Sequence, residues 1–410
     1  MIKQLITIFF LVTGSVITAQ AQYSEFDGNP AASQFTLSSD GNTLQIGGRI
    51  SGYYENRFLK NDTNYQKRSH NGWAVKDFDL DILGKTSNKF VYEFHASLID
   101  LVTAAATGNT AAPQNSGIKS AYIQYKGFPV KIKFGYDKLP YSQGSMSDVW
   151  GTPFWSHANL YGGDLFSRRD FGLTLNYRFL NDRFNAYAGA YSGMGENFFE
   201  YGNDASGRFE YVGRIEYAYP AKMKYNIIDE ENSSVPVFRV AANARYADKT
   251  QPKGSSIYVD APDAPGAYGI KIIDGKKLGY GADAIVKYKG FSVTAEVHYM
   301  KLNPTNITDG LYNGTDVTKN NKVVNSGGFC LGGNYNWEKK HSAFSVMYEE
   351  INANDLYVGI QDWLYMAYAY KFSGFNSVAK IEYYIPVTED KVQAPLHYTG
   401  QLRIGYQIVF

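Results

Sequence analysis

Through most of its length the chain alternates apolar and polar residues one for one, and past Ala21 no apolar run approaches the length of a membrane-crossing helix. Strand side chains point to opposite faces in turn, so each alternating segment has one oily face and one wet face. In LQIGGRISGYYENR, Ile46, Ile50 and Tyr54 share one face, and Arg49, Ser51 and Glu55 share the other. DFDLDILG sets Phe78, Leu80 and Ile82 against Asp77, Asp79 and Asp81. KFVYEFHASL sets Phe90, Tyr92, Phe94 and Leu98 against Glu93, His95 and Ser97. VKIKFGY places Val130, Ile132, Phe134 and Tyr136 opposite Lys131 and Lys133, and DFGLTLNYR, FSVTAEVHY, FCLGGNYNW and SVAKIEYYI repeat the rule. About sixteen such segments can be counted, ending with QLRIGYQIVF, where Leu402, Ile404, Tyr406, Ile408 and Phe410 align.

Two architectures use strands of this kind. A β-sandwich or jelly roll would turn the oily faces into a core, but about sixteen one-sided strands exceed what two packed sheets usually hold. A closed barrel is the only strand structure able to satisfy its backbone in lipid, and polar faces carrying Asp, Glu, Arg, Lys and His together suit a wet lumen. The 35 Tyr, 25 Phe and 40 Gly also fit aromatic girdles on alternating strands. The expectation is therefore an all-β fold, a transmembrane antiparallel β-barrel of about 16 strands in a bacterial outer membrane. Its last strand should close against the first, leaving no free edge, and the resemblance of this terminal strand to those of bacterial outer-membrane proteins implies that Phe410 serves as an assembly signal.

The opening stretch, MIKQLITIFFLVTGSVITAQAQ, has one cation, an apolar run around Leu5 to Val12, and the small-x-small triplet Ala19-Gln20-Ala21. That pattern predicts a cleaved secretory signal over residues 1–21. An N-terminal periplasmic segment is then expected over 22–43 and the barrel over 44–410, as one domain. A single cysteine, Cys330, excludes an intramolecular disulfide. With 40 basic and 39 acidic residues, the formal charge of +1 lacks the excess expected of a nucleic-acid partner. Connections alternate in length, another barrel trait. Lys126-Gly127, Asn181-Asp182 and Lys289-Gly290 mark tight turns, whereas 56–76, 137–168, 247–278, 301–326 and 386–397 are long and polar. Short turns are assigned to the periplasmic side and long loops to the outside.

Between Ile118 and Asn197 the chain resembles the phosphate-selective porin O and P family. The pieces that carry the likeness are Gly135-x-x-Lys138-x-Pro140, the box Ser167-Arg168-Arg169-Asp170-x-Gly172, and Tyr-Ala-Gly followed by Gly193-x-Gly195-Glu196-Asn197. The resemblance implies a sixteen-stranded homotrimeric porin whose third loop, here about Asp137 to Ser167, folds into the pore. It implies a water-filled channel for passive diffusion of small solutes and ions, anions such as phosphate among them. In that family the second strand tends to carry basic residues where this chain has Asp77, Asp79 and Asp81, a departure that argues against phosphate preference.

The residues themselves suit a constriction in that loop. It is long, carries Trp150, Phe154, Trp155 and Tyr161, and is bracketed by Lys138 and by Arg168-Arg169. The other reading is an external loop whose Trp150, Phe154 and Trp155 pack at a subunit contact. Candidates for anion attraction are Lys138, Arg168, Arg169, Lys131, Lys133 and Arg178. Arg49, Arg214, Arg239, Arg245, Lys287 and Arg403 also face the expected lumen. Opposing them are Asp77, Asp79, Asp81, Glu93, Glu216, Asp283, Glu296, Glu349 and Glu382. An anion pore needs a cationic surplus, and this near balance favours general permeability. GYGADA at 279–284 imitates a dinucleotide loop but sits in an alternating strand. The six histidines lack metal-ligand spacing, and no Gly-x-Ser-x-Gly elbow is present. No catalytic, cofactor or metal set is therefore expected. A closed receptor or adhesin barrel and a membrane-embedded hydrolase remain as rival readings.

Overall fold

The computed structural model describes residues 35–59, 71–87, 89–101, 117–162, 165–201, 207–249, 257–261, 264–272, 275–304, 323–352, 360–388 and 398–410. The expected signal at 1–21 lies outside them. The first half of the wall runs β1 (Phe35–Ser39), β2 (Asn42–Leu59), β3 (Gly72–Thr86), β4 (Phe90–Ser97), β5 (Ile118–Tyr125), β6 (Val130–Lys138), β7 (Arg169–Phe179), β8 (Phe184–Tyr191) and β9 (Glu210–Tyr219). After β10 (Val237–Lys249), the strands β11 (Ile257–Ala261) and β12 (Ala264–Ile272) form a separate two-stranded pair among the described residues. The wall resumes with β13 (Gly275–Tyr288), β14 (Phe291–Pro304), β15 (Val324–Trp337), β16 (Ser342–Asn352), β17 (Ile360–Ser373), β18 (Ser377–Thr388) and β19 (Tyr398–Val409).

Every neighbour in the wall is antiparallel, and β19 returns to pair with β2, from Tyr398↔Leu59 to Val409↔Arg49. Leaving out β1, β11 and β12, sixteen strands close the barrel. In lipid an unpaired backbone group costs several kcal/mol, so closure is the condition of existence rather than an embellishment. The seam is completed at Phe410, whose N–H donates to Gly48 O at 2.9 Å and whose carbonyl accepts from Gly48 N at 2.7 Å. Gly48 has to be glycine here, since a Cβ would lie 2.5 Å from Asp79 O and 2.9 Å from the Phe410 ring. Below that point β1, within the stretch read as an N-terminal segment, pairs with the first residues of β2, Phe35 opposite Ile46.

Alternation decides which way each strand faces. Ile46, Ile50, Tyr54, Phe78, Phe134, Leu173, Val293, Ile404 and Ile408 are exposed on the outer surface, and Arg49, Ser51, Asp79, Lys133, Glu296 and Gln407 are buried inside. A bulge against Ser51/Gly52 shifts β3 by one residue, so Lys76 and Asp77 both turn inward while Trp73 and Val75 point out. Tyr136 keeps its outward parity yet is buried. The turn after β8 folds back over the wall, setting Phe199 against Tyr136 at 4.9 Å and stacking Phe198 on Phe171 at 4.7 Å.

One end of the barrel carries tight turns, such as Lys289-Gly290, both in the left-handed region. The exception at that end is the connection 220–236 between β9 and β10, which runs inward. Several stretches read as loops are partly strand: β2 extends to Leu59, β10 to Lys249, β14 to Pro304 and β18 to Thr388.

Candidate functional site: a lumen entered by two segments

The loop after β6 leaves the wall at Lys138 and returns at Arg169, its base tied by Leu139 N–H donating to Arg168 O at 2.7 Å. Between these points it crosses the interior. Ser142 caps the one-turn helix Gln143–Met146 by accepting from Ser145 N, a local choice typical of serine at a helix start. Val149–Gly151 forms a 3-10 turn, and Asn159–Gly162 a second helical turn.

Three wall carboxylates hold this loop by its backbone. Glu296 on β14 accepts from Gly144 N at 2.6 Å and from Ser142 Oγ at 2.7 Å. Glu349 on β16 accepts from Asn159 N at 3.2 Å and Leu160 N at 3.1 Å, and Glu382 on β18 accepts from Trp155 N at 2.7 Å. Cations grip the loop's carbonyls in the same way. Arg214 on β9 donates to Tyr141 O at 2.9 Å while holding Asp283 bidentately at 2.5 and 2.7 Å. Lys380 on β18 reaches the carbonyls of Val149, Trp150 and Phe154, and Gln407 on β19 donates to Trp150 O at 2.9 Å. Charge-assisted bonds to main chain are about twice as strong as neutral ones, so the loop is seated firmly. Of the two readings of the aromatic run, the inward one holds. Trp155 packs on Tyr53 at 5.3 Å, and Arg49 lies over Trp150 at 5.2 Å.

The two motif boxes of the sequence form the clasp at the loop's root. Glu196 accepts from Arg168 N at 2.9 Å, and Asp170 accepts from Gly193 N at 2.6 Å and from Ser192 Oγ. Gly195, at φ +58°, passes so close to Ser167 that a Cβ would sit 2.1 Å from its hydroxyl oxygen.

The six basic candidates fall into different settings. Lys138 is buried and pairs with Asp148 at 2.8 Å. Burial opposes the charge on Asp148, but Lys138 beside it wins and holds the carboxyl well below its ordinary range. Lys133 pairs with Asp137 and lies 5.0 Å from the Tyr122 ring. Arg168 donates to the carbonyl of Ser145 at 3.1 Å. Arg169 and Arg178 are half-buried, and Lys131, near the short-turn end of β6, is half-buried too. Within the loop, burial and then Arg168 push His157 well below the ordinary histidine range, keeping it neutral.

A second segment enters from the short-turn end. In 220–236, residues Tyr225 to Asp229 are buried. Lys287 donates to Ile228 O at 2.9 Å, Asn336 to Asp229 O at 3.1 Å, and Asp229 accepts from Gly290 N at 2.8 Å. Tyr225 meets Met146 of the loop in one apolar cluster, and Ile227 joins Phe154 and Tyr161 in another. The segment was missed in the sequence because it lacks alternation. Its signal is the apolar group Tyr225, Ile227 and Ile228 in a stretch between Pro220 and Pro236 that is longer than a turn needs.

Water keeps its access along β2, β3 and β4. There the side chains of Asp81, Asp77 and His95 are 31%, 18% and 15% exposed, against 0% and 1% for Arg214 and Asp283. Asp77 and Asp79 pair with Arg49, and Asp79 and Asp81 flank His95 at 3.1 and 3.4 Å.

A closed sixteen-strand barrel with a loop crossing its lumen defines the class: an outer-membrane porin. The model of the phosphate-selective porin O and P family matches residues 44–315, and the chain belongs to that family. It is a channel for passive diffusion of small solutes in the bacterial outer membrane. Among solved structures it is similar in fold to OmpT of Vibrio cholerae, at 11% identity and TM-score 0.55, covering 92% of this chain and 100% of that one. The outer-membrane channel DcaP of Acinetobacter baumannii aligns at 12% identity and TM-score 0.54 over 91% and 99% of the chains. An anion-selective porin from Comamonas acidovorans aligns at 10% and 0.53 over 90% and 100%. No curated protein matches the sequence.

Proposed function

We propose that this porin is a general diffusion pore with a mild preference for cations and none for phosphate. The observation that supports this is the composition of the water-accessible wall at loop level. The side chains of Asp81 and Asp77 are 31% and 18% exposed there, against 11% for Arg49, which Asp77 and Asp79 already hold, so the wetter charges are acids where an anion filter needs a surplus of base. In this reading Lys138, Lys133, Arg168 and Arg169 chiefly brace the loop, and Lys131 and Arg178 face anions near the periplasmic mouth. The protein is not an enzyme in this reading, and three copies assemble; a trimer form is described for the structurally similar OmpT of Vibrio cholerae. The test is the zero-current potential of the refolded porin in a planar bilayer under a potassium chloride gradient. A potential of cation sign that moves toward the anion sign in D77N/D81N supports the reading. An anion-sign potential in the unaltered protein overturns it.

A further inference from the structure

The wetter wall holds a histidine between two acids. His95 on β4 lies directly opposite Asp81 of β3 and Ser120 of β5 in the strand register. Its Nε2 is 3.1 Å from Asp79 Oδ2, and its Nδ1 is 3.4 Å from Asp81 Oδ1. An ionised carboxylate only accepts, so Nε2 is the donor to Asp79. A neutral imidazole has one N–H. With that proton spent on Asp79, bare Nδ1 faces the Asp81 oxygen, lone pair against lone pair. Protonation puts a second N–H there and turns the contact into an ion pair.

The other charges around the ring are matched. Asp77 and Asp79 pair with Arg49 of β2, and Asp77 also accepts from the Ser51 hydroxyl. On β4 itself, Glu93 accepts from the Tyr122 hydroxyl at 2.9 Å. From the β5 side, Ser120 donates to Asp137, which pairs with Lys133, and Lys119 pairs with Asp100 at 2.9 Å. From the loop, Asp148 is held by Lys138 at 2.8 Å. Asp81 differs. Among the described residues its ion-pair contact is with His95 alone, and its side chain reaches water. The charge this acid shows to a passing ion therefore depends on the protonation of one ring.

We infer that His95 is a specificity-determining residue of the passage. Protonated, it cancels the charge of Asp81 and lowers the preference for cations; neutral, it leaves that acid free to attract them. The experiment is the zero-current potential of the refolded porin in a planar bilayer under a dilute potassium chloride gradient. It is read at steps between about pH 8 and pH 5.5, where histidine changes charge and ordinary carboxylates stay ionised. The cation-to-anion permeability ratio should fall by about twofold over that range, the effect of one unit charge roughly 8 Å from an ion in water. H95Q keeps a donor for Asp79 and has no ring to titrate, so its ratio should stay level. H95N, shorter by one methylene, reports the same if H95Q folds poorly. His341 stands in an exposed turn, and H341N should keep the full step. The inference rests on the passage-wall reading, but the step is a difference between pH values and is read whatever the sign of the potential. An anion sign at neutral pH overturns that reading, whereas a missing step at cation sign overturns the role of His95 alone. A step that persists in both His95 variants overturns it too.

Discussion

The two sides of the lumen carry charged residues of the same kinds and use them differently. Along β9 to β19 the charges are spent on structure: Arg214 with Asp283, Arg245 with Glu210 at 2.5 Å, and Glu296, Glu349 and Glu382 on the loop's main chain. Along β2 to β4 the side chains of Asp77, Asp81 and His95 keep contact with water. One wall is scaffold and the other is passage. A count of inward charges around the whole barrel therefore says little about selectivity, because desolvated pairs present little field to a passing ion while solvated acids do.

The sharpest way to break this contrast is to unpair the scaffold wall. Arg214→Gln should destabilise the barrel by about 3–5 kcal/mol, since it leaves Asp283 buried without its partner, and urea unfolding in micelles would measure it. An unchanged midpoint would mean that this wall is wetter than described. Next in size, Glu349→Gln should loosen the loop by about 1.5 kcal/mol or more, the lower range for bonds to a charged acceptor. Faster amide exchange at Asn159 and Leu160, with noisier single-channel current, is the expected result. On the passage wall, D77N/D81N should cost less than about 1 kcal/mol, as partly solvated pairs do, yet shift the zero-current potential toward anions. Stability loss without a selectivity shift there would reverse the assignment of the walls.

The smallest effect concerns pH. Burial pushes Glu230 on the inward segment up to about 7, against the pull of Lys287, Lys371 and Lys224. A raised carboxyl favours the protonated, seated form. Its contribution is full below the ordinary carboxylate range and is lost as pH rises through about 7. Amide exchange over Tyr225 to Asp229, corrected for intrinsic rates, should be slower at pH 5 than at pH 8.

Much of this barrel was legible in the sequence because the period-two rule is local. Phe78 faces out and Asp79 faces in for reasons contained in five consecutive letters. The loop's inward course was legible too, from its length and its aromatics. Its anchors were not. Glu349 grips Leu160 from 189 positions away, and the group it grips is a backbone N–H that every residue but proline possesses. No residue type in the loop announces that bond. Segment 220–236 was obscured differently, since Lys222, Asp229, Glu230 and Asn232 give it the look of an ordinary polar turn.

Holding a loop by its main chain separates where it sits from what it displays. Glu296, Glu349, Glu382 and Lys380 engage amides and carbonyls that persist through almost any substitution in the loop. Residues 144–160 could thus be exchanged for another stretch of equal length and still be docked in the same place. The scaffold wall behaves as a socket, and a lineage with such a socket can try new filters without first reinventing the barrel.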